Sequence, residues 1–142
     1  MSSVPGTGQA GHATRKVITV GADLADVTEV RKSLRNFGES YLERVFTSSE
    51  TSYGLQAADP ATALACMFAV KEAVVKVLAD VQPPWTAIEV SPRLEGGLEV
   101  HLAGEAAHFA ELRGIDSFAV NVSLDGALAT AVVFGMGSAE QL

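Results

Sequence analysis

Asp59–Ala79 reads DPATALACMFAVKEAVVKVLA, and the interpretation of this stretch decides the fold. Asp59 suits an N-cap, and Pro60 suits the first helical position, where a missing N–H costs nothing. Good helix formers then continue to about Ala79. Ala61 to Val70 is almost wholly apolar, so most of this helix's circumference must be buried. Pro83-Pro84 prevents any continuation.

Working outward, Lys16 to Leu24 (KVITVGADL) begins with β-branched residues and ends near Gly21, a strand running into a turn. Val27, Val30, Leu34 and Phe37 then fall on one face of a helix that Gly38 terminates. A second short helix carries Tyr41, Leu42, Val45 and Phe46. Thr47-Ser48-Ser49-Glu50 is a capping-box sequence. Downstream, Thr86 to Val90 and Leu98 to Leu102 read as strands joined through Gly96-Gly97. Gly104 to Arg113 is a short helix closed by Gly114. Ser117 to Leu124 and Ala127 to Phe134 are strands around Asp125-Gly126. The expected fold is α+β, a small, mostly antiparallel sheet packed on a long central helix. Residues 16–136 form one domain, residues 1–15 are a flexible leader, and residues 137–142 are a short tail.

The 142 residues are 48% hydrophobic and 19% charged, which favours a packed globule. The net charge of −7 argues against sequence-independent binding of nucleic acid, which needs clustered cations. No apolar run approaches the ~20 residues of a membrane span, and the N-terminal stretch lacks the apolar region of a secretory signal. The one cysteine, Cys66, cannot form an internal disulfide and suits a reducing cytoplasm.

Three residues invite a chemical reading. Glu72 and Lys76 are one turn apart on the central helix, either an ordinary solvated ion pair or part of a site. Asp23 lies where the first strand leaves the sheet, either as a turn residue or as a ligand. One carboxylate at a strand end and one on a buried helix could share a hard cation such as Mg²⁺, which takes one or two carboxylates plus water and substrate phosphates.

Four segments, in order, resemble the holo-acyl-carrier-protein synthase family. VITVGADLADV (Val17 to Val27) is similar to its opening G-[IV]-G-x-D-[IL]-x-x-[IV]. NFGESYLERVFTSSE (Asn36 to Glu50) follows F-x-x-R-[IV]-[FL]-T-x-x-E, and MFAVKEAVVKVLA (Met67 to Ala79) follows R-[FW]-A-x-K-E-A-x-x-K-A. AVNVSLDGALATAVVFG (Ala119 to Gly135) looks like its final hairpin. The resemblance implies a 4′-phosphopantetheinyl transferase fold. It implies Mg²⁺-dependent transfer of 4′-phosphopantetheine from coenzyme A to a serine of an apo acyl-carrier protein, releasing adenosine 3′,5′-bisphosphate. Asp23 and Glu72 match the metal-binding carboxylates. Lys76, with Glu72, matches the catalytic group near the attacked phosphate, and Lys71 and Ser123 match coenzyme A contacts. Arg31, Lys32 and Arg35 match a basic docking face for acidic carriers, and the family is typically a homotrimer with coenzyme A held between subunits.

The chain departs from the pattern in three places. The arginine before F-A is Met67, and the arginine six positions after the first Asp is Glu29. The final H-V-S-[IL]-[ST]-H-[DE]-G reads Asn121-Val122-Ser123-Leu124-Asp125-Gly126, with one histidine replaced and a residue pair missing. None of His12, His101 and His108 replaces the lost histidine in sequence. These losses leave open a non-catalytic homologue that binds carriers or serves in assembly.

Overall fold

The computed structural model describes residues 13–79 and 81–140. The chain runs β1 (Thr14–Asp26), α1 (Val27–Phe37), α2 (Glu39–Val45), α3 (Ser48–Leu55) and α4 (Pro60–Val77). A 3₁₀ turn (Trp85–Ala87) follows, then β2 (Ile88–Pro92), β3 (Leu98–Leu102), α5 (Gly104–Leu112), β4 (Ile115–Asp125) and β5 (Leu128–Glu140). The architecture is α+β, as expected. Its sheet is divided, with a three-stranded antiparallel sheet in the order β1-β5-β4 and a separate β2-β3 hairpin.

α4 is the axis of the molecule. Leu64, Ala65, Ala69, Val70, Ala73, Val74 and Leu78 are all buried, because strands lie on one side and helices on the other. The sheet turns its odd-numbered β1 and β5 residues toward α4, so Ala129, Ala131 and Val133 are inside. Gly21 makes the closest approach, since a Cβ there would stand 2.1 Å from the backbone oxygen of Ala73. The apolar helix therefore does not merely fill the core. Its small residues set how close β1 can come, and so where Asp23 lies.

Local signals account for most element ends. Asp26 caps α1, accepting from the Thr28 N–H at 2.8 Å. Both halves of the Thr47–Glu50 capping box are formed. Asp59 is the N-cap of α4, but its carboxylate is taken by Arg31 and the Thr62 hydroxyl rather than by the helix's N–H groups. The β4–β5 turn is displaced by one residue from the expected Asp125-Gly126. Asp125 pairs with Leu128, and Gly126, at φ 59°, takes the first central position, followed by Ala127.

The domain edges differ from expectation. β1 begins at Thr14, inside the stretch read as leader, and β5 continues to Glu140, through the stretch read as a tail. The two ends pair, Thr14 with Glu140, and long-range pairing of this kind leaves no local mark in the sequence. The remainder of the leader lies outside the described residues. Among the described residues no helix is long and apolar enough to cross a membrane.

Candidate active site

β1 delivers Asp23 to the face of the sheet that packs on α4, one row beyond the glycine that lets the strand approach. The Asp23 Oδ1 accepts from the Leu24 N–H at 2.8 Å, and Oδ2 lies 3.5 Å from the Lys76 Nζ. The Lys76 side chain is 48% exposed, so this pair contributes little stability and its ammonium stays open to solvent. Lys76 is paired with Asp23, not with Glu72, so the i, i+4 solvated pair is not the one formed.

Glu72 lies beside them, half-buried, and its carboxylate accepts no hydrogen bond among the described residues. Burial raises its pKa to about 7, the Asp23 charge pushes the same way, and Lys76 opposes. The carboxyl group thus lacks a countercharge in contact, Lys76 being engaged by Asp23. It opens on a cleft of about 260 Å³ walled by Leu24, Val30, Tyr41 and Phe68, with Asp26 and Glu29 also lining it. Burial raises the Tyr41 hydroxyl's pKa, with Arg44 opposing and the Glu72 charge adding to the rise.

The donor chemistry fits a hard divalent cation. Asp23 and Glu72 offer carboxylate oxygens, and a dication would supply the countercharge that Glu72 lacks. Among the described residues no group of three or more His, Cys, Asp and Glu gathers for a metal. Two protein carboxylates, with water and phosphate oxygens completing the shell, is the usual pattern for Mg²⁺.

Lys71 requires a correction. It is adjacent to Glu72, but its side chain is 0% exposed. Its Nζ donates to the Val45 carbonyl at 2.8 Å and the Trp85 carbonyl at 3.0 Å, and pairs with Glu50 Oε1 at 2.6 Å. All three ammonium hydrogens are used, so no coenzyme A contact is open to it. Glu50 is equally committed: Oε1 also accepts from the Thr47 N–H, and Oε2 accepts from the Val90 N–H at 2.7 Å. The capping box made Glu50 legible as a helix cap, but its role as the partner of Lys71 depends on folding.

Ser123 is also not brought to the site within one chain. It is exposed on β4, two strands from β1. It shares a row with Thr130 and Leu24, whose side chains point to the sheet face opposite Asp23. Arg31 is held by Asp59 in a two-pronged ion pair at 2.9 and 3.1 Å, while Lys32 and Arg35 are exposed with no acid in ion-pair range among the described residues. The basic face therefore keeps two uncommitted cations of the expected three. Met67, at the position of the family arginine, is a core residue. His101 and His108 are exposed on β3 and α5, outside the cleft, and His12 lies outside the described residues. Sequence reasoning missed Tyr41 and Phe68 as cleft walls, since both read as ordinary helix core.

Two carboxylates and a half-exposed ammonium grouped beside the cleft form a constellation suited to phosphoryl-group transfer, where charge developing on oxygens needs a metal and a cation. Known proteins narrow this class. Residues 19–132 match the model of the 4′-phosphopantetheinyl transferase superfamily. The holo-[acyl-carrier-protein] synthase of Rhodopirellula baltica is 31% identical over 120 residues, covering 83% of this chain and 94% of its own. That of Solibacter usitatus is 29% identical over 120 residues, covering 82% and 96%. Among solved structures, a coenzyme A complex of the synthase from Chronobacterium ammoniagenes superposes with a TM-score of 0.71 at 28% identity, covering 89% of this chain and 99% of that one. The chain belongs to the holo-[acyl-carrier-protein] synthase family of 4′-phosphopantetheinyl transferases.

Proposed function

We propose that this protein catalyses Mg²⁺-dependent transfer of 4′-phosphopantetheine from coenzyme A to a serine of an apo acyl-carrier protein, releasing adenosine 3′,5′-bisphosphate. The observation that carries the reading is the grouping of Asp23, from β1, with Glu72 and Lys76, from α4, at the edge of the cleft that Glu72 lines. Bound Mg²⁺ would be held by Asp23 and Glu72 and would supply positive charge to the diphosphate oxygens. Lys76, pivoting from Asp23, offers its ammonium to the phosphoryl oxygens as the serine oxygen attacks phosphorus, its proton passes to water, and the phosphorus–oxygen bond breaks with its electron pair leaving on adenosine bisphosphate. The aromatic walls formed by Tyr41 and Phe68 limit water on this side of the cleft.

The site draws on more than one copy. The outer face of the β1-β5-β4 sheet exposes Ile18 (72%), Val20, Leu24 and Phe134 (43%), an apolar surface that supports assembly, as a homotrimer. Ser123 lies on that face and reaches coenzyme A from a neighbouring copy. Lys32 and Arg35 serve carrier docking, Arg31 being bound to Asp59. The reaction belongs to the cytoplasm and to fatty-acid or polyketide synthesis, where carrier proteins act.

The test is mass spectrometry of several apo carrier proteins incubated with the protein, coenzyme A and Mg²⁺. A phosphopantetheine adduct is expected with the natural sequence. Glu72→Ala is expected to lower the rate at least ~100-fold. The two-residue β4–β5 turn, in a hairpin whose sequence from Ala119 to Gly135 holds no histidine, favours a second reading: a non-catalytic carrier-binding homologue. Absence of adduct on every carrier, with the protein folded and carriers bound, would select it.

A further inference from the structure

α1 is charged unevenly along its axis, and the unevenness is placed against the cleft. Glu29 lines the cleft that also holds Glu72, and its carboxylate makes no hydrogen bond or ion pair among the described residues. Asp26 lies beside it but is occupied capping α1. One to two turns further along, Lys32 and Arg35 are exposed and unpaired among the described residues, and Arg31 is removed from play by Asp59. Glu29 and Arg35 are six residues apart, about 9 Å along the axis. The surface that meets an acceptor is therefore negative at the mouth of the cleft and positive beyond it.

We infer that Glu29 determines acceptor specificity. The preferred acceptor carries a cationic side chain in the helical turn that bears its reactive serine, facing Glu29. Its carboxylates lie a turn or two away, facing Lys32 and Arg35. Charge complementarity commits the surface to this partner: a uniformly acidic acceptor would bring like charge against Glu29 as its serine entered the cleft. This inference rests on the transferase reading for the identity of the acceptor, and its test separates the two.

An acid in the first turn of a helix also favours the helix dipole, and that role alone would make Glu29 a stabilising residue only. The two roles differ in what they move. One apo carrier domain is made in two forms, with Lys or Glu in the turn bearing the serine, and kcat/KM is measured with the natural enzyme, Glu29→Gln and Glu29→Lys. The natural enzyme is expected to prefer the Lys form by about 3- to 10-fold, the range for an exposed charge pair counted once as attraction and once as repulsion. Glu29→Gln should level the preference, Glu29→Lys should invert it, and high salt should abolish it. A preference unchanged across the three proteins, with only thermal stability altered, overturns the inference. Dissociation constants of the two apo carriers are measured alongside. If no carrier is modified but the binding preference still inverts with Glu29→Lys, the specificity assignment stands and the transferase reading falls. If neither rate nor binding depends on the charge opposite residue 29, the assignment fails whatever the activity.

Discussion

Lys71 and Glu72 are consecutive on α4, about 100° apart around its axis, and that rotation sends one ammonium into the core and one carboxyl to the cleft. Burial pulls the Lys71 pKa below its ordinary value while Glu50 pulls it back up. Removing one member of a buried pair leaves the other uncompensated, so Lys71→Met should cost about 3–5 kcal/mol by denaturant titration. The double change Lys71→Met with Glu50→Gln should cost less than the sum of the single changes, because the stranded charge is gone. The folded fraction of Lys71→Met should keep its KM for coenzyme A. A raised KM would return Lys71 to the substrate. Glu72 makes the opposite kind of prediction. Its pKa, about 7 against an ordinary 4.5, means the folded protein holds this proton more tightly than the unfolded chain. Its contribution to stability is therefore complete below about pH 4.5 and is lost as pH rises through 7. In metal-free buffer Glu72→Gln should match the natural protein's Tm near pH 4.5 and exceed it near pH 8, with Mg²⁺ closing the gap. A Tm difference that does not change with pH would show that Glu72 is not strained by lack of a countercharge.

At the scale of elements, the contact that matters most is β1 against α4. A methyl group at Gly21 has a backbone oxygen in its way rather than a flexible side chain, so the strand itself must move. Gly21→Ala should cost about 1–3 kcal/mol. It should also lower kcat, because Asp23 travels with the strand while Glu72 and Lys76 stay on the helix. Circular dichroism melts and steady-state rates test the two effects together. Loss of stability with full activity would mean that the relative placement of strand and helix is not what sets the site. The same element pair shows what patterning can reveal. The apolar run of α4, its start at Asp59-Pro60 and the period of α1 were readable because each is a local property of a few adjacent residues. The glycine's neighbour is 52 positions away, and nothing local identifies it.

For the whole molecule, the exposed outer face of the β1-β5-β4 sheet is the feature a monomer would least tolerate. Phe134→Glu should leave the fold intact, since the side chain is not in the core, and should shift light-scattering mass from an assembly to a single chain. Coenzyme A affinity should fall with it if Ser123 acts across the interface. A natural protein that is monomeric at micromolar concentration would instead leave this face to another partner. Sequence alone determined the helix that organises the fold and the order of the elements, and it marked Asp23, Glu72 and Lys76 as candidates by motif, because helical period, caps and short motifs are carried by neighbouring residues. Tertiary structure alone decided which charges were available to act. It buried Lys71 on Glu50, tied Arg31 to Asp59, turned Ser123 to the far face and left Glu29 unpaired at the cleft. The physical reason is that desolvation and ion pairing depend on what folding brings near a charge, often from dozens of residues away.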